Sequence, residues 1–290
     1  MSSAQGAVKG GGIKRFSLTF SRKQLCIPYG LFLALFVVIP LLLIFFYALT
    51  DQNGTISLDN FVRFFSSSTT ISTLIISTLL ALVTTLICIL IAYPVAYILA
   101  NSNLNKGGTL LLLFIMPMWI NFVLRAMAMK DLLTMIGLFG VNNYLNVVIG
   151  MVYDYLPFMV LPIYTVLTKM DRSLIEASQD LGASSLRTFT RVTLPLSMGG
   201  VASGATMVFM PTMTCYVISD TFGNGLITII GKLIDEQFTT FQNWNFGSAM
   251  AMVLLVIMLV SMWITGSFKD EDSRGTNLWW KRLVKFFISL

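Results

Sequence analysis

The sequence predicts an all-α, polytopic membrane protein with six transmembrane helices and one long polar loop on the cytoplasmic side. Three observations predict it. Of 290 residues, 56% are hydrophobic and only 11% charged, with mean hydropathy +0.81; a soluble domain carries about 25% charged residues. Six charge-poor runs, at 25–48, 71–100, 109–128, 144–168, 196–219 and 245–268, each reach the roughly 20 residues that cross the hydrocarbon core. With six alternating spans, 15 of the 19 Lys and Arg fall on one side, which the positive-inside rule assigns to the cytoplasm. Both termini then lie inside.

The first run is too long for a signal-peptide core and lacks a small-residue cleavage site after it, so it reads as an uncleaved span. Before it, residues 1–24 form a basic, Gly/Ser-rich tail expected to lie on anionic lipid. The six-span domain covers 25–268. Residues 269–290 end in "LWWKRLVKFFISL", whose paired tryptophans and three cations read as an amphipathic helix at the inner interface. The outer loops, at 49–70, 129–143 and 220–244, are mildly acidic: six carboxylates against Arg63, Lys130 and Lys232. A negative outer face suits a cationic solute, and equally an ordinary solvated surface. The third outer loop contains "GLITIIGKLIDEQF", a candidate re-entrant or interfacial helix.

Composition also excludes. There is no histidine, which removes the commonest general base and metal ligand. Cys26, Cys88 and Cys215 are far apart in apolar segments, so neither a zinc site nor a disulfide framework is expected. The basic balance of +6 is topological, and no nucleic-acid partner follows from it. "GLITIIGKL" resembles a phosphate-binding P-loop but has five residues between its glycines and Leu233 after the lysine, so nucleotide binding is not expected there. Pro94, Pro117, Pro157, Pro162 and Pro211 each remove a helical hydrogen bond within a span. So many interruptions in a small bundle favour a moving pathway over a static anchor.

The loop at 169–195 is the most informative segment. Ser173 and Glu176 in "SLIE" match a capping box. Leu174, Ile175, Ser178 and Leu181 form an apolar stripe, and Gly182 stands where a helix ends. Ser184 or Ser185 starts a second short helix through Arg191, and Pro195 stops it and opens span five. Such a helix either folds back on its own bundle or docks in a groove of a soluble partner. Glu176-Ala177-Ser178, three residues, Gly182, nine residues, then Val192-x-Leu194-Pro195 resembles the EAA loop of ABC importer permeases. It differs in Ser178 for alanine and Val192 for isoleucine. "MPMWINFVLRAMAMKDLL", "YLPFMVLPIYTVL", "YVISDTFGNG" and "NWNFGSA" resemble the spermidine/putrescine branch of that family.

The resemblance implies a permease subunit of the bacterial cytoplasmic membrane, without an ATPase site of its own. It implies four kinds of partner: a second permease, two cytoplasmic ATPase subunits, an extracytoplasmic polyamine-binding protein and the membrane lipid. In that family the loop is the coupling helix, so Glu176, Ala177, Ser178, Leu181, Gly182, Leu174, Ile175 and Pro195 become the ATPase-coupling candidates.

Two ionisable residues fall inside spans, Asp154 and Arg125, and intramembrane charge is costly unless it is paired or functional. They either pair with each other or a neighbour, or serve the solute path; Arg125 would repel a cation and reads as structural. A polyamine needs carboxylates for its ammonium groups and aromatic faces beside them. Asp154 and Asp220 meet the first need, with Tyr153, Tyr155 and Tyr216 as aromatic candidates. Alternatives remain: a permease of the same class for an iron, thiamine or phosphonate compound, an ATPase-independent channel or carrier, or a membrane enzyme. The last would need clustered catalytic groups at membrane depth, and only one carboxylate lies there.

Overall fold

The computed structural model describes residues 22–51, 53–101, 108–140 and 142–270. The N-terminal tail to residue 21, Lys106 and the 271–290 segment lie outside the described residues, and so does the amphipathic C-terminal helix expected there. The described residues are almost wholly helical, with one isolated antiparallel bridge, Thr50 to Ile56. The described residues fall into two compact units, divided between Ile44 and Phe45.

In the first unit, α1 (Arg22–Leu33) passes through a π turn (Ala34–Val38) into the start of α2 (Ile39–Ala48). Tyr29, Phe32 and Phe36 are exposed, and the Phe32 and Phe36 rings lie 4.9 Å apart one turn on from each other. A helix apolar all round needs lipid or protein on every side. Pro28–Ala48 is long and apolar enough to cross a membrane.

The second unit is built on three helices: α4 (Ser68–Asn101), α7 (Asn143–Lys169) and α10 (Leu194–Thr214). Met151, Met159, Val160 and Ile163 of α7 are fully buried between α4 and α10. Small residues let the helices approach. A Cβ on Gly204 would stand 2.6 Å from the Met159 sulfur, and one on Gly200 would meet the Pro162 carbonyl at 3.0 Å. This four-residue glycine spacing is the close-packing device of membrane helices. Tyr93 and Ser197 share a buried hydroxyl–hydroxyl bond of 2.7 Å between α4 and α10. At 34 residues α4 is about 51 Å long, more than the hydrocarbon thickness, so it tilts or projects beyond it.

A second cluster joins α3 (Asp59–Ser66), α12 (Ile230–Thr239) and α13 (Trp244–Asp270) to α4 and α10 through Phe64, Phe209, Met213, Ile230, Phe246 and Met250. The segment expected as a re-entrant or interfacial helix is therefore α12, packed onto the bundle. Its entry is pinned: the Ile230 N–H donates to the Ser77 hydroxyl at 2.8 Å, and that hydroxyl donates to the Thr73 carbonyl at 2.7 Å. Ser77→Ala leaves a buried N–H without an acceptor. We expect a loss of about 1–3 kcal/mol, read as a lowered unfolding midpoint of the detergent-purified protein.

Five helices are individually long and apolar enough to span, and a bent pair supplies a sixth. The structure corrects two of the expected spans. The third is not one straight helix: α5 (Thr109–Ile115) runs through a 3-10 turn (Met116–Trp119) and bends by 97° into α6 (Phe122–Met135). Pro117 sits in that turn, Ile120 is extended, and the Asn121 side chain accepts from the Val123 N–H to begin α6 afresh. The fifth begins at Ser185, not 196. Pro195 does not stop a short helix; α9 (Ser185–Thr188) continues through a π turn (Phe189–Thr193) into α10 as one span. The π turn rearranges the bonds ahead of Pro195, with Leu194 donating to Phe189 five residues back, so the helix passes a residue lacking an N–H.

Candidate functional site

The α7–α10 loop carries α8 (Arg172–Asp180). Its cap differs from the expected one. The Asp171 side chain accepts from the Ser173 N–H at 3.0 Å, so Asp171, not Ser173, is the N-cap and the Ser173–Glu176 capping box does not form. The Ser173 N–H, then the Ser173 hydroxyl, hold the Asp171 carboxyl below its ordinary range. A lowered folded value stabilises above the ordinary carboxylate range. The cap is therefore intact at neutral pH and is lost as pH falls through the lowered value.

The other end follows the sequence. Gly182 has φ +79°, its N–H donates to the Gln179 carbonyl at 2.8 Å, and the Ala183 N–H donates to the Ser178 carbonyl at 3.1 Å. These two bonds are a Schellman ending, which a glycine makes without strain. The Ser178 and Thr188 hydroxyls lie 3.0 Å apart and tie α8 to α9. The expected stripe divides as a result. Ile175 and Ser178 turn inward and are half-buried, whereas Leu174, Glu176, Ala177 and Leu181 are exposed. Leu181 is 89% exposed, and Leu186 of α9, which the sequence reading missed, is 73% exposed. Its signal was a leucine at the second position of a short helix with a polar start, three residues before Phe189. Two nearly bare leucines on a two-helix turn are an unpartnered apolar surface.

The second constellation lies within the bundle. Arg125 of α6 and Asp154 of α7 form an ion pair, Nη2 to Oδ1 2.6 Å, and both are buried. The sequence placed two costly charges in neighbouring spans, and the structure brings them together. The contact is a bare ion pair: Asp154 Oδ1, Asp154 Oδ2 and Arg125 Nε all have no hydrogen-bond partner. Tyr153, partly exposed, has its ring 5.9 Å from the guanidinium carbon, and Tyr155 is buried. A cavity of about 530 Å³ opens at the 116–121 bend, lined by Trp119, Phe122, Arg125, Asp154, Tyr155 and Cys215 among others.

Asp220 and Tyr216 lie one turn apart on α11 (Tyr216–Phe222). Asp220 is not a free carboxylate: Lys232 of α12 donates to its Oδ1 at 2.7 Å. That bond, ahead of the weaker opposing effect of burial, raises the Lys232 pKa. A raised folded value stabilises at and below the ordinary lysine range and is lost as pH rises through it. The pair is a quarter to a third exposed, so Lys232→Gln should cost below about 1 kcal/mol, checked by the unfolding midpoint at neutral pH. Among the described residues no three Cys, Asp or Glu side chains converge to hold a metal ion.

Comparison with known proteins places these features. The profile of the family described as "Binding-protein-dependent transport system inner membrane component" matches residues 5–269. The spermidine/putrescine transport system permease protein PotB of Haemophilus influenzae is 31% identical over 264 residues, covering 80% of this chain and 88% of that protein. PotB of Escherichia coli K12 is 36% identical over 183 residues, covering 57% of this chain and 66% of its own. A PotB homologue of Mycoplasma genitalium is 26% identical and covers 91% of this chain and 97% of its own. Among solved structures, a bacterial ABC transporter importing the acidic polysaccharide alginate matches with TM-score 0.67 at 14% identity, over 86% of this chain and 94% of its own. The same transporter with an alginate pentasaccharide-bound periplasmic protein matches with TM-score 0.70, also at 14% identity, over 87% and 94%. At that identity the likeness is one of fold. The chain is a multi-pass membrane protein, and it belongs to the binding-protein-dependent transport system inner membrane component family, the permease subunits of ABC importers.

Proposed function

We propose that this permease moves a polyamine, spermidine or putrescine, into the cell, driven by ATP hydrolysis on separate subunits. The observation that carries the solute is Asp154: a buried carboxylate with no hydrogen-bond partner on either oxygen, at the wall of a cavity also lined by Trp119, Phe122 and Tyr155. A carboxylate beside aromatic faces suits a primary ammonium on a methylene chain. The relatives named as spermidine/putrescine permeases support the same solute.

The loop between α7 and α10 faces the cytoplasm in this reading, with both termini on the same side. Leu174, Ala177 and Leu181 meet a cleft on an ATPase subunit, with Leu186 beside them. Glu176 lies on the exposed side of α8, Ile175 and Ser178 hold it to the bundle, Gly182 sets its turn, and Pro195 lies in the helix it drives. A second permease subunit completes the membrane domain, two ATPase subunits bind below, and a polyamine-binding protein docks on the outer loops. Closure of the ATPases tilts α8, and the long helix from Ser185 to Thr214 carries that motion into the bundle. The bend at 116–121 and Pro211 of α10 line the cavity, so that motion reaches the solute site there.

The test is uptake of labelled spermidine and putrescine by cells lacking only this chain, before and after it is restored. Restored uptake supports the solute. No difference for either amine, with the chain present in the membrane, removes the polyamine reading and leaves the permease.

A further inference from the structure

The Arg125–Asp154 pair lacks the construction of a purely structural one. A buried pair repays its desolvation only when its remaining donors and acceptors are also bonded. Arginine and carboxylate can meet through two parallel bonds. Here one ion-pair contact of 2.6 Å forms, and Asp154 Oδ1, Asp154 Oδ2 and Arg125 Nε stay without a hydrogen-bond partner in the interior. Both residues line the cavity at the 116–121 bend, with both carboxylate oxygens buried. An empty cavity still requires a counter-ion, because a lone carboxylate at this depth would be strongly destabilising. Arg125 supplies it. The partly exposed Tyr153 ring already lies 5.9 Å from its guanidinium carbon, within cation–π range, and remains a contact for the guanidinium if the carboxylate is taken by another cation.

We propose that Arg125 is an exchangeable internal counter-ion for Asp154: an ammonium group entering the cavity takes over the Asp154 carboxylate, and the guanidinium withdraws onto Tyr153. The proposal rests on the polyamine reading above. Arg125 is then part of the solute path as a stand-in for the solute, not a fixed strut. The pair keeps the solute-free cavity neutral and makes carboxylate capture an exchange of one cation for another, which limits how tightly the solute is held. Asp220 and Lys232 repeat the arrangement between α11 and α12, in a more solvated setting.

The test combines a variant pair with the native Cys215, which lines the same cavity. Asp154→Asn with Arg125→Gln removes both charges together and leaves no lone ion. If the pair is only structural, this double variant restores both membrane amount and spermidine uptake relative to either single variant. If the pair exchanges, membrane amount recovers, but the KM for spermidine stays raised by about tenfold or more. Independently of any change at the pair, full complexes carrying Cys26→Ser and Cys88→Ser are treated with a positively charged thiosulfonate. Exchange predicts that saturating spermidine slows Cys215 modification about fivefold or more by filling the cavity, a coupling of ordinary size. Unchanged modification, or normal KM in the double variant, overturns the exchange while native uptake leaves the polyamine reading standing. Absence of native spermidine uptake overturns both.

Discussion

Gly182→Val should leave the chain in the membrane and reduce solute uptake about tenfold or more. Gly182 has φ +79°, and a Cβ there meets nothing within 4 Å. The penalty is therefore conformational and local. The left-handed region costs an ordinary L-residue about 1–2 kcal/mol, and a β-branched one more. A loss of 1.4 kcal/mol is a factor of ten. The substitution competes directly with the two bonds that end α8, Gly182 to Gln179 and Ala183 to Ser178. Unwinding that end moves Leu181, the most exposed leucine of the loop. Gly182→Asn is the control, since asparagine tolerates φ > 0, and it should retain most uptake. Equal uptake by the valine variant and the native chain, at equal membrane amount, would mean that the loop transmits nothing.

Gly231→Ala should give the largest stability loss of any single methyl addition considered. A Cβ at this position would lie 2.1 Å from the Thr214 carbonyl oxygen and 2.8 Å from its carbon. The obstacle is backbone at the end of α10, so no rotamer change relieves it. Overpacking typically costs about 1–3 kcal/mol and more where the neighbour cannot move. We expect reduced membrane amount and an unfolding midpoint lowered by several degrees in detergent. Gly225→Ala, at φ +70° with open space around its Cβ, should cost only about 1 kcal/mol. Similar midpoints for the two variants would show that the α10–α12 contact can relax. This contact also gives the second glycine of the "GLITIIGKL" segment its physical reason: close helix packing.

The features legible in the sequence were those set by local chemistry. Apolar run length placed the spans, because hydrocarbon thickness fixes it. Gly182 was legible as a helix end, because few residues enter its conformation freely. The cap was misplaced, because Ser173 and Glu176 fit a box while Asp171, two residues earlier, reaches the Ser173 N–H and starts the helix sooner. The 97° bend was only half legible: Pro117 marks an interruption, but the direction of α6 depends on the Asn121 cap and the extended Ile120. The late end assigned to span five has a similar origin, since hydropathy continues past Thr214 while the backbone breaks at Cys215. Among the site residues, Asp154 and Arg125 stood out as intramembrane charges, but their contact is tertiary. Asp220 looked like a free carboxylate at the mouth because Lys232 lies twelve residues away on a different helix. The cavity beside Tyr155 had no sequence signal, because residues from α6, α7, α10 and the 116–121 bend meet only in the folded bundle.

The most direct measurement is labelled spermidine accumulation in proteoliposomes holding this chain with its partner permease, ATPase subunits and loaded binding protein. Accumulation against the gradient that requires hydrolysable ATP, and that stops with a non-hydrolysable analogue, is the predicted result. Equilibration of spermidine without ATP, through complexes of the same composition, would contradict it and make the chain a channel or carrier.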